Sequence, residues 1–520
     1  MSKKNKIDRR DALKGAAASI YAAGIPWNTA LAKSETGITA PAKSKLIEQE
    51  NQKEGTRDWQ LTRVRINEGQ YRTSLIEGYC SKQSVAAGEE LKIHVSTKPA
   101  KKFVIDIYRM GYYGGKGARH IKQIGPLQGS VQPTPEMGPA PGRLRECKWD
   151  VSTSLKIPDD WVSGVYLGKL TTLPESKSEP YWQSYVIFIV RDNRKADVLF
   201  QCSDNTWHAY NRWPVNESLY THPAGSHAPG VSVSFDRPYG KYNQIFDAPL
   251  SIGSGEFLLW EFPLSYWLEK HGYDVTYGSN SDCIDASFIT RCNTFLSVGH
   301  DEYWDLRQYK AVEKSIEAGV NVLWLCGNSV FVVSPFTESS SGQPKRIITR
   351  TGSYGPMRRI ETETYPKLFT GLKQGGPDER NIMGVRSVVP FNGGGDWTCI
   401  KPNHWVFAGT GMKQGESIPG LVGWEHHGEP DPQREGLEVL AEGKIWSGGT
   451  REGDYAAVIF PGPKDNIVFN ASTIFWSQGL SSPPGHMPVW SHWSRPHGPD
   501  PRVQQMTHNL LQQCLTQQQR

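Results

Sequence analysis

The rhythm of hydrophobic and polar positions divides this chain into regions of different character. From about Trp59 to Asp192, short alternating runs (Leu91 to Val95, Phe103 to Tyr108, Gly164 to Leu170, Tyr185 to Val190) are separated by Gly, Pro and Ser clusters. Alternation of period two between turn residues predicts a β-sandwich domain over residues 59–194. At about Ala196 the pattern changes. Ala196 to Gln201, Tyr273 to Tyr277, Thr294 to Val298 and Asn321 to Cys326 read as buried strands. Phe262 to His271 reads as a helix, with Pro263 in its first turn and Gly272 just past its end, and Asp282 to Ile289 as a short one. After Asp305, which forms a capping pair with Gln308, Leu306, Tyr309, Val312 and Ile316 fall at helical spacing up to Gly319. Strand, helix, strand in repetition predicts a parallel sheet with helices on its faces, an α/β domain over residues 195–520. Between about 347 and 449 the rhythm blurs into a Gly- and Trp-rich insertion with β segments. Ala456 to Phe460 and Ile467 to Asn470 then read as strands returning to the sheet, and Gln504 to Cys514 as a closing helix.

Composition adds an address and removes some partners. A chain of 520 residues exceeds one ordinary domain. Its formal charge of +5 is small for that length and its Lys and Arg are scattered, which argues against a nucleic-acid partner. Arg9-Arg10-Asp11-Ala12-Leu13-Lys14, a weakly apolar run and Ala30-Leu31-Ala32 resemble a twin-arginine signal over residues 1–32, predicting export to the periplasm or beyond. Pro26 and Asn28 interrupt the apolar run, so no permanent membrane span is expected. Residues 33–58, rich in Lys, Glu, Ser and Gln, read as a linker. The 8 cysteines include no C-x-x-C pair. An oxidising destination allows Cys80 with Cys147, or Cys283 with Cys292, as disulfides, and buried free thiols are the alternative. Gly111 to Gly117, G-Y-Y-G-G-K-G, lacks the spacing of a phosphate-binding loop and reads as a tight aromatic turn.

The candidate chemistry lies at strand ends. Thr294 to Trp304, T-F-L-S-V-G-H-D-E-Y-W, places His300, Asp301 and Glu302 just past a strand, the edge where open α/β sheets hold ligands. The plainer reading is a polar turn whose acids favour the next helix's amino end. Asp204 to Asn211, D-N-T-W-H-A-Y-N, brings Tyr210 to the same edge. A phenol and a carboxylate together offer hard oxygen ligands, and a metal lets a phenol of ordinary pKa about 10 serve as an anion. An aromatic patch packed under the sheet is the alternative. Asn321 to Asn328, N-V-L-W-L-C-G-N, ends with Cys326 and Asn328. Cys326 invites a nucleophile reading, but Trp324 stands where an elbow needs glycine, so a buried structural thiol is favoured. Asn328 is an amide donor for a developing oxyanion. Gly423-Trp424-Glu425-His426-His427 adds a carboxylate, Glu425, of more use than two adjacent histidines that cannot both face one ion.

Glu77 to Cys80, Tyr108 to Arg119, Thr206 to Asn211, Phe235 to Tyr239, Gly299 to Trp304, Gly327-Asn328 and Asn470 to Leu480 together resemble the large (β) subunit of N,N-dimethylformamidase and its relatives, over about residues 60 to 515. The two strongest motifs are T-W-H-A-Y-N and G-H-D-E-Y-W. The resemblance implies a sandwich followed by a flavodoxin-like, class I glutamine amidotransferase-like parallel sheet. It also implies a mononuclear iron held by two tyrosines and a glutamate, with a small subunit or a second copy as partner. Carried over, Tyr210 and Glu302 are metal ligands, His300 a proton shuttle, Asn328 a substrate-orienting group and Glu425 a general base. The second phenolate's place falls on Val233, with Tyr239 and Tyr242 as neighbouring substitutes, and Asp301 is a further carboxylate able to reach a metal. The expected function is hydrolysis of a C–N bond in a small, formamide-like amide. The rival is a non-catalytic exported protein that holds a carbohydrate or cell-envelope ligand on the aromatic faces of its 18 tryptophans.

Overall fold

The computed structural model describes residues 45–221, 228–242, 244, 247–356, 371–449, 451–487 and 495–517. The export signal expected over residues 1–32, with Arg9 and Arg10, lies outside the described residues, as do residues 33–44 of the expected linker. Within the rest of that stretch, Lys45–Asn51 forms a helix that buries Ile47 and Glu50.

The amino-terminal β region consists of two sheets around one core. A five-stranded sheet is built from Ser84–Ala86, Gln183–Arg191, Gly164–Thr172, Lys102–Met110 and Ala118–Gln128. A three-stranded sheet is built from Glu77–Cys80, Glu90–Ser96 and Thr153–Lys156. Ile93 and Val95 from the smaller sheet meet Phe103, Ile105, Tyr166 and Phe188 from the larger in a single apolar cluster. In Glu90–Ser96 the burial alternates through Leu91, Ile93 and Val95, the period-two pattern that the sequence carries.

The remainder departs from the expected architecture. A nine-stranded sheet runs, edge to edge, through Val275–Ser279, Val198–Cys202, Thr294–His300, Asn321–Gly327, Ile467–Asn470, Arg451–Pro461, Glu438–Ser447, Gly393–Thr398 and Ser417–Trp424. Pairings among the first five strands are parallel. Those beyond Ile467–Asn470 are antiparallel. The sheet is therefore mixed, in a molecule with 33% strand against 17% helix, and the expected flavodoxin-like, class I glutamine amidotransferase-like parallel sheet is not what forms. The cause is local. Strands Gly393–Thr398, Ser417–Trp424 and Glu438–Ser447, inside the stretch 347–449 read as an insertion, join the same sheet in antiparallel pairing, and Glu438–Ser447 returns to Arg451–Pro461 through a hairpin too short for a parallel crossover. Apolar runs such as V-L-F-Q-C and N-V-L-W-L-C-G are buried along their whole length, as strands covered on both faces must be.

Helix Phe262–Lys270 opens with Pro263 and is followed by Gly272 in a left-handed conformation (φ 72°), as its sequence predicts. Asp305 caps helix Leu306–Glu317 by accepting from Arg307 N at 2.8 Å. Gln308 is not its capping partner: its amide donates to Gln201 Oε1 inside the protein at 2.7 Å. All eight cysteines are buried free thiols, so neither candidate disulfide is formed, and the thiols serve as small apolar side chains. Among the described residues no helix is long and apolar enough to cross a membrane.

Candidate metal and catalytic site

Three strand ends and one short helix build the site. Thr294–His300 presents His300 and then Glu302, and Asn321–Gly327 runs beside it in parallel register, His300 opposite Gly327, and presents Asn328. Ser417–Trp424, from the antiparallel part of the sheet, ends immediately before Glu425. Helix Asp204–Tyr210 carries Tyr210 on its last residue and is tied to the first strand end, since Thr206 Oγ1 accepts from Glu302 N at 3.0 Å and Asn205 Nδ2 donates to Tyr303 O at 3.0 Å.

Two glycines let these ends approach. Gly299 has φ 68°, and a Cβ there would lie 2.6 Å from Trp260 Cβ. A Cβ on Gly327 would lie 2.3 Å from Glu425 O and 2.7 Å from Ile474 N, so any side chain would push the Glu425 strand end away. The backbone then turns sharply: Asn328 and Val330 hold φ of 52° and 54°. For Val330, β-branched, that conformation is strained, and the hydrogen bonds Val330 N to Asp301 O and Phe331 N to Glu302 O, both 3.1 Å, hold it in place.

The structure brings the side chains of Tyr210, His300, Glu302, Asn328 and Glu425 together. Tyr210 OH donates to Glu302 Oε2 at 2.7 Å. His300 Nε2 lies 2.7 Å from Glu425 Oε2 and 3.3 Å from Glu302 Oε2. Asn328 Nδ2 donates to Glu425 Oε2 at 3.0 Å, so its donor is engaged with a carboxylate of the protein. One ligand atom each from His300, Glu302 and Glu425 fit within 4.8 Å of one another, and all three residues are buried.

Two members escape the sequence. The second phenol on Glu302 is Tyr220, whose OH donates to Glu302 Oε1 at 2.8 Å while its ring stacks on Tyr210 with centroids 4.5 Å apart. Tyr303 OH donates in turn to Tyr220 OH. Val233, at the place expected for this ligand, is a buried apolar residue of strand Ser232–Ser234 in a cluster with Phe235 and Ile348. Tyr239 rests on His208, ring centroids 4.0 Å apart, and Tyr242 backs onto Trp260. Tyr220 lies in an irregular segment with no periodicity, so no pattern marks it. The other is Glu256, whose Oε2 lies 3.7 Å from His300 Nδ1. Its signal is faint: it follows Gly253 and Gly255 and opens the π-helical turn Phe257–Glu261, a distortion common at functional sites.

Other candidates turn elsewhere. Asp301 accepts from Gln201 Nε2 (2.6 Å), Ser297 Oγ (2.8 Å) and Asn280 Nδ2 (3.0 Å), which occupies both its oxygens away from the cluster. Burial raises its pKa to about 6 against those donors. His427 accepts from Ser329 N at 2.9 Å and pairs through Nδ1 with Asn470 Oδ1 at 3.0 Å, and burial lowers it to about 4, so it is a neutral brace for the Asn328 turn. Cys326 is buried beneath the sheet's edge, taking a weak hydrogen bond from Ser297 Oγ, and burial pushes its thiol up to about 12, an environment opposed to a nucleophile.

The electrostatics are unbalanced. Glu256, Glu302 and Glu425 are buried around one imidazole, and among the described residues their ion-pair contacts are with His300. Burial alone would lower His300, but Glu425, with Glu256 and Glu302, overrules it and holds the imidazole well above its ordinary value. Burial raises Glu302 and Glu256, and raises Tyr210 and Tyr220 well above the ordinary phenol value, helped by the neighbouring carboxylate of Glu302. Both His300 nitrogens, Glu256 Oε2 and Asn328 Oδ1 lack an aligned hydrogen-bond partner. Buried carboxylates in excess of cations, with ligand atoms of His300, Glu302 and Glu425 within 4.8 Å of one another, suit a bound cation. Oxygen ligands with one imidazole suit a hard or borderline ion better than one that prefers thiolates.

Residues 104–489, well over half of the chain, match the family described as N,N-dimethylformamidase beta subunit-like, C-terminal, and the chain belongs to that family. Comparison with curated proteins finds no match.

Proposed function

We propose that this member of an amidase-named family is an exported, metal-dependent hydrolase of the C–N bond in a small, formamide-like amide. The observation that carries the reading is the pair of phenols, Tyr210 and Tyr220, hydrogen-bonded to the two oxygens of one buried carboxylate, Glu302. Those three residues would hold the ion, which is iron in this reading, with His300 and Glu425 beside it. Such an ion supplies the positive charge that polarises an amide carbonyl and acidifies water.

The protein's own groups account for the proton. Hydrolysis adds water to the carbonyl carbon, breaks the C–N bond and moves one proton from that water to the departing nitrogen. Glu425 Oε2 and His300 Nε2, 2.7 Å apart, form a two-station path for it, with His300 held proton-rich by its carboxylates. Asn328, through its hydrogen bond to Glu425 Oε2, orients that carboxylate and leaves Oδ1 free to take an N–H from the substrate. Glu256 Oε2 lies 3.7 Å from Nδ1 and adds negative charge on the ring's far side. Trp424 packs its ring 5.4 Å from His300 and 6.5 Å from Tyr210, an apolar neighbour that would limit water beside the cluster.

Elemental analysis of the protein purified from metal-replete cells tests the reading. The wild type is expected to carry near-stoichiometric transition metal and to release amine from formamides, and Glu302→Ala to lose both. A metal-free wild type, or Glu302→Ala that keeps its metal, refutes it. Export predicts that replacing Arg9 and Arg10 by Lys retains the full-length chain in the cytoplasm. A partner subunit or a second copy of this chain, as the family's name suggests, is read by the mass of the purified assembly.

A further inference from the structure

The outward face of the antiparallel end of the nine-stranded sheet carries a cleft of about 370 Å³ that the chemistry above does not use. Its wall is Trp446, which is 46% exposed on strand Glu438–Ser447, whereas its neighbour Ile445 is buried in the core. Strand alternation puts Trp446 and Lys444 on one face and Ile445 on the other. The half-exposed indole, standing beside a cleft, offers a rigid apolar face on which a flat ligand can stack. Gly394, directly paired with Trp446, and Gly395 floor the cleft. A Cβ on Gly395 would lie 2.4 Å from Lys444 O, so the floor beside the indole stays flat.

The rim is polar and its charges are already matched. Asp396 pairs with Arg495 and also accepts from Gly420 N at 2.8 Å. Lys444 pairs with Glu452 and Asp454, both at 2.8 Å. Thr398 Oγ1 and Ser417 Oγ share a hydrogen bond of 2.8 Å. An anionic ligand would meet Asp396 and a cationic one would meet Lys444 and Arg495. A neutral ligand with an apolar flat face and a rim of hydroxyls meets neither obstacle: its C–H face lies on the indole and its hydroxyls exchange hydrogen bonds with Asp396, Arg495, Thr398 and Ser417.

We propose that the Trp446 cleft is a binding subsite for a neutral saccharide, separate from the metal and catalytic site. It would tether the enzyme to glycan and leave turnover of a small amide unaltered.

The test is an array of neutral and acidic oligosaccharides probed with the purified full chain, its Trp446→Ala variant and Glu302→Ala. Because Trp446 is half exposed, Trp446→Ala should melt with the wild type, and a melting curve verifies that it is folded. Wild type and Glu302→Ala are expected to bind neutral glycans, and Trp446→Ala to bind them roughly tenfold or more weakly, the loss of a stacking platform. Absence of wild-type binding, binding confined to acidic glycans, or binding unchanged in Trp446→Ala overturns the proposal. If Glu302→Ala keeps glycan binding while losing turnover, the subsite stands on its own whatever becomes of the amidase reading.

Discussion

Two clusters of buried charge in this molecule look alike by composition and differ in closure. Where the sandwich meets helix Phe262–Lys270, Arg109 is wholly buried and makes a two-pronged pair with Glu269, at 2.7 and 3.0 Å, besides donating to Tyr113 OH and the carbonyl of Ser163 at 2.8 Å each. Tyr113 OH donates onward to Glu50 Oε1 at 2.6 Å, and Arg119 and Lys53 pair with the same carboxylate at 2.8 and 2.7 Å. Every carboxylate there has a guanidinium or an ammonium. Around His300, three carboxylates and two phenols share one imidazole, and Arg350, whose guanidinium lies 5.7 Å from the Tyr220 ring centre, spends two of its nitrogens on Ala228 O. A closed cluster holds elements together. An open one is, in the proposed reading, the place of the metal.

Breaking the closed cluster should have the largest effect. Arg109→Met leaves Glu269 buried without its partner, a cost of about 3–5 kcal/mol, and should lower the urea midpoint accordingly. The double variant Arg109→Met/Glu269→Leu should recover most of that loss, because no charge remains stranded. A single variant as stable as the wild type would show that the cluster is not what joins the sandwich to the helix.

Tyr220 sharpens the other side of the comparison. Tyr220→Phe removes one of the two phenols on Glu302 while keeping the ring that stacks on Tyr210. Metal affinity should fall at least roughly 10–100-fold, the range for losing even an outer partner of a ligand, with the fold unchanged. Competition with a chelator of known affinity reads this directly, and equal affinity would remove Tyr220 from the ligand set.

What was legible in the sequence follows from how local each signal is. His300 and Glu302 announce themselves because strand, glycine and polar residues are contiguous, and Tyr210 because its helix follows a strand directly. Glu425 is visible as chemistry but not as position: the strand that carries it belongs to a stretch whose Gly-rich composition, Gly393 to Gly395 above all, hides its periodicity. The same stretch misleads about the fold, since apolar runs show that strands are buried but not which direction they run. Tyr220 sits in an irregular loop and is brought to Glu302 by tertiary contacts such as Leu219 N to Ala209 O at 3.0 Å, which no spacing rule encodes. Cys326 shows the converse, a residue conspicuous in sequence and inert once buried.

The finest test is a difference of sign between two glutamates. Burial alone would raise Glu50, but Arg109, Lys53, Tyr113 and Arg119 overrule it and hold it at about 2, below its ordinary 4.5. Its ionised form therefore stabilises the fold fully above pH 4.5, and that contribution is lost as pH falls toward 2. Glu256 moves the other way: burial, with Glu425 and Glu302 nearby, raises its pKa against the pull of His300. Between its ordinary value and its raised one the folded state retains a proton that the unfolded state has lost. Ionisation thus costs stability as pH rises, and the cost is absent below the ordinary carboxylate range. In metal-stripped protein Glu256→Gln should accordingly gain stability on the order of 1 kcal/mol at pH 8, with the gain vanishing in acid. Glu50→Gln should lose stability at pH 8, with the loss shrinking toward pH 2. Urea midpoints across that pH range decide between them. Parallel curves of the same sign would mean that the His300 cluster is as closed as the Arg109 one, and the case for a bound cation would lose its electrostatic basis.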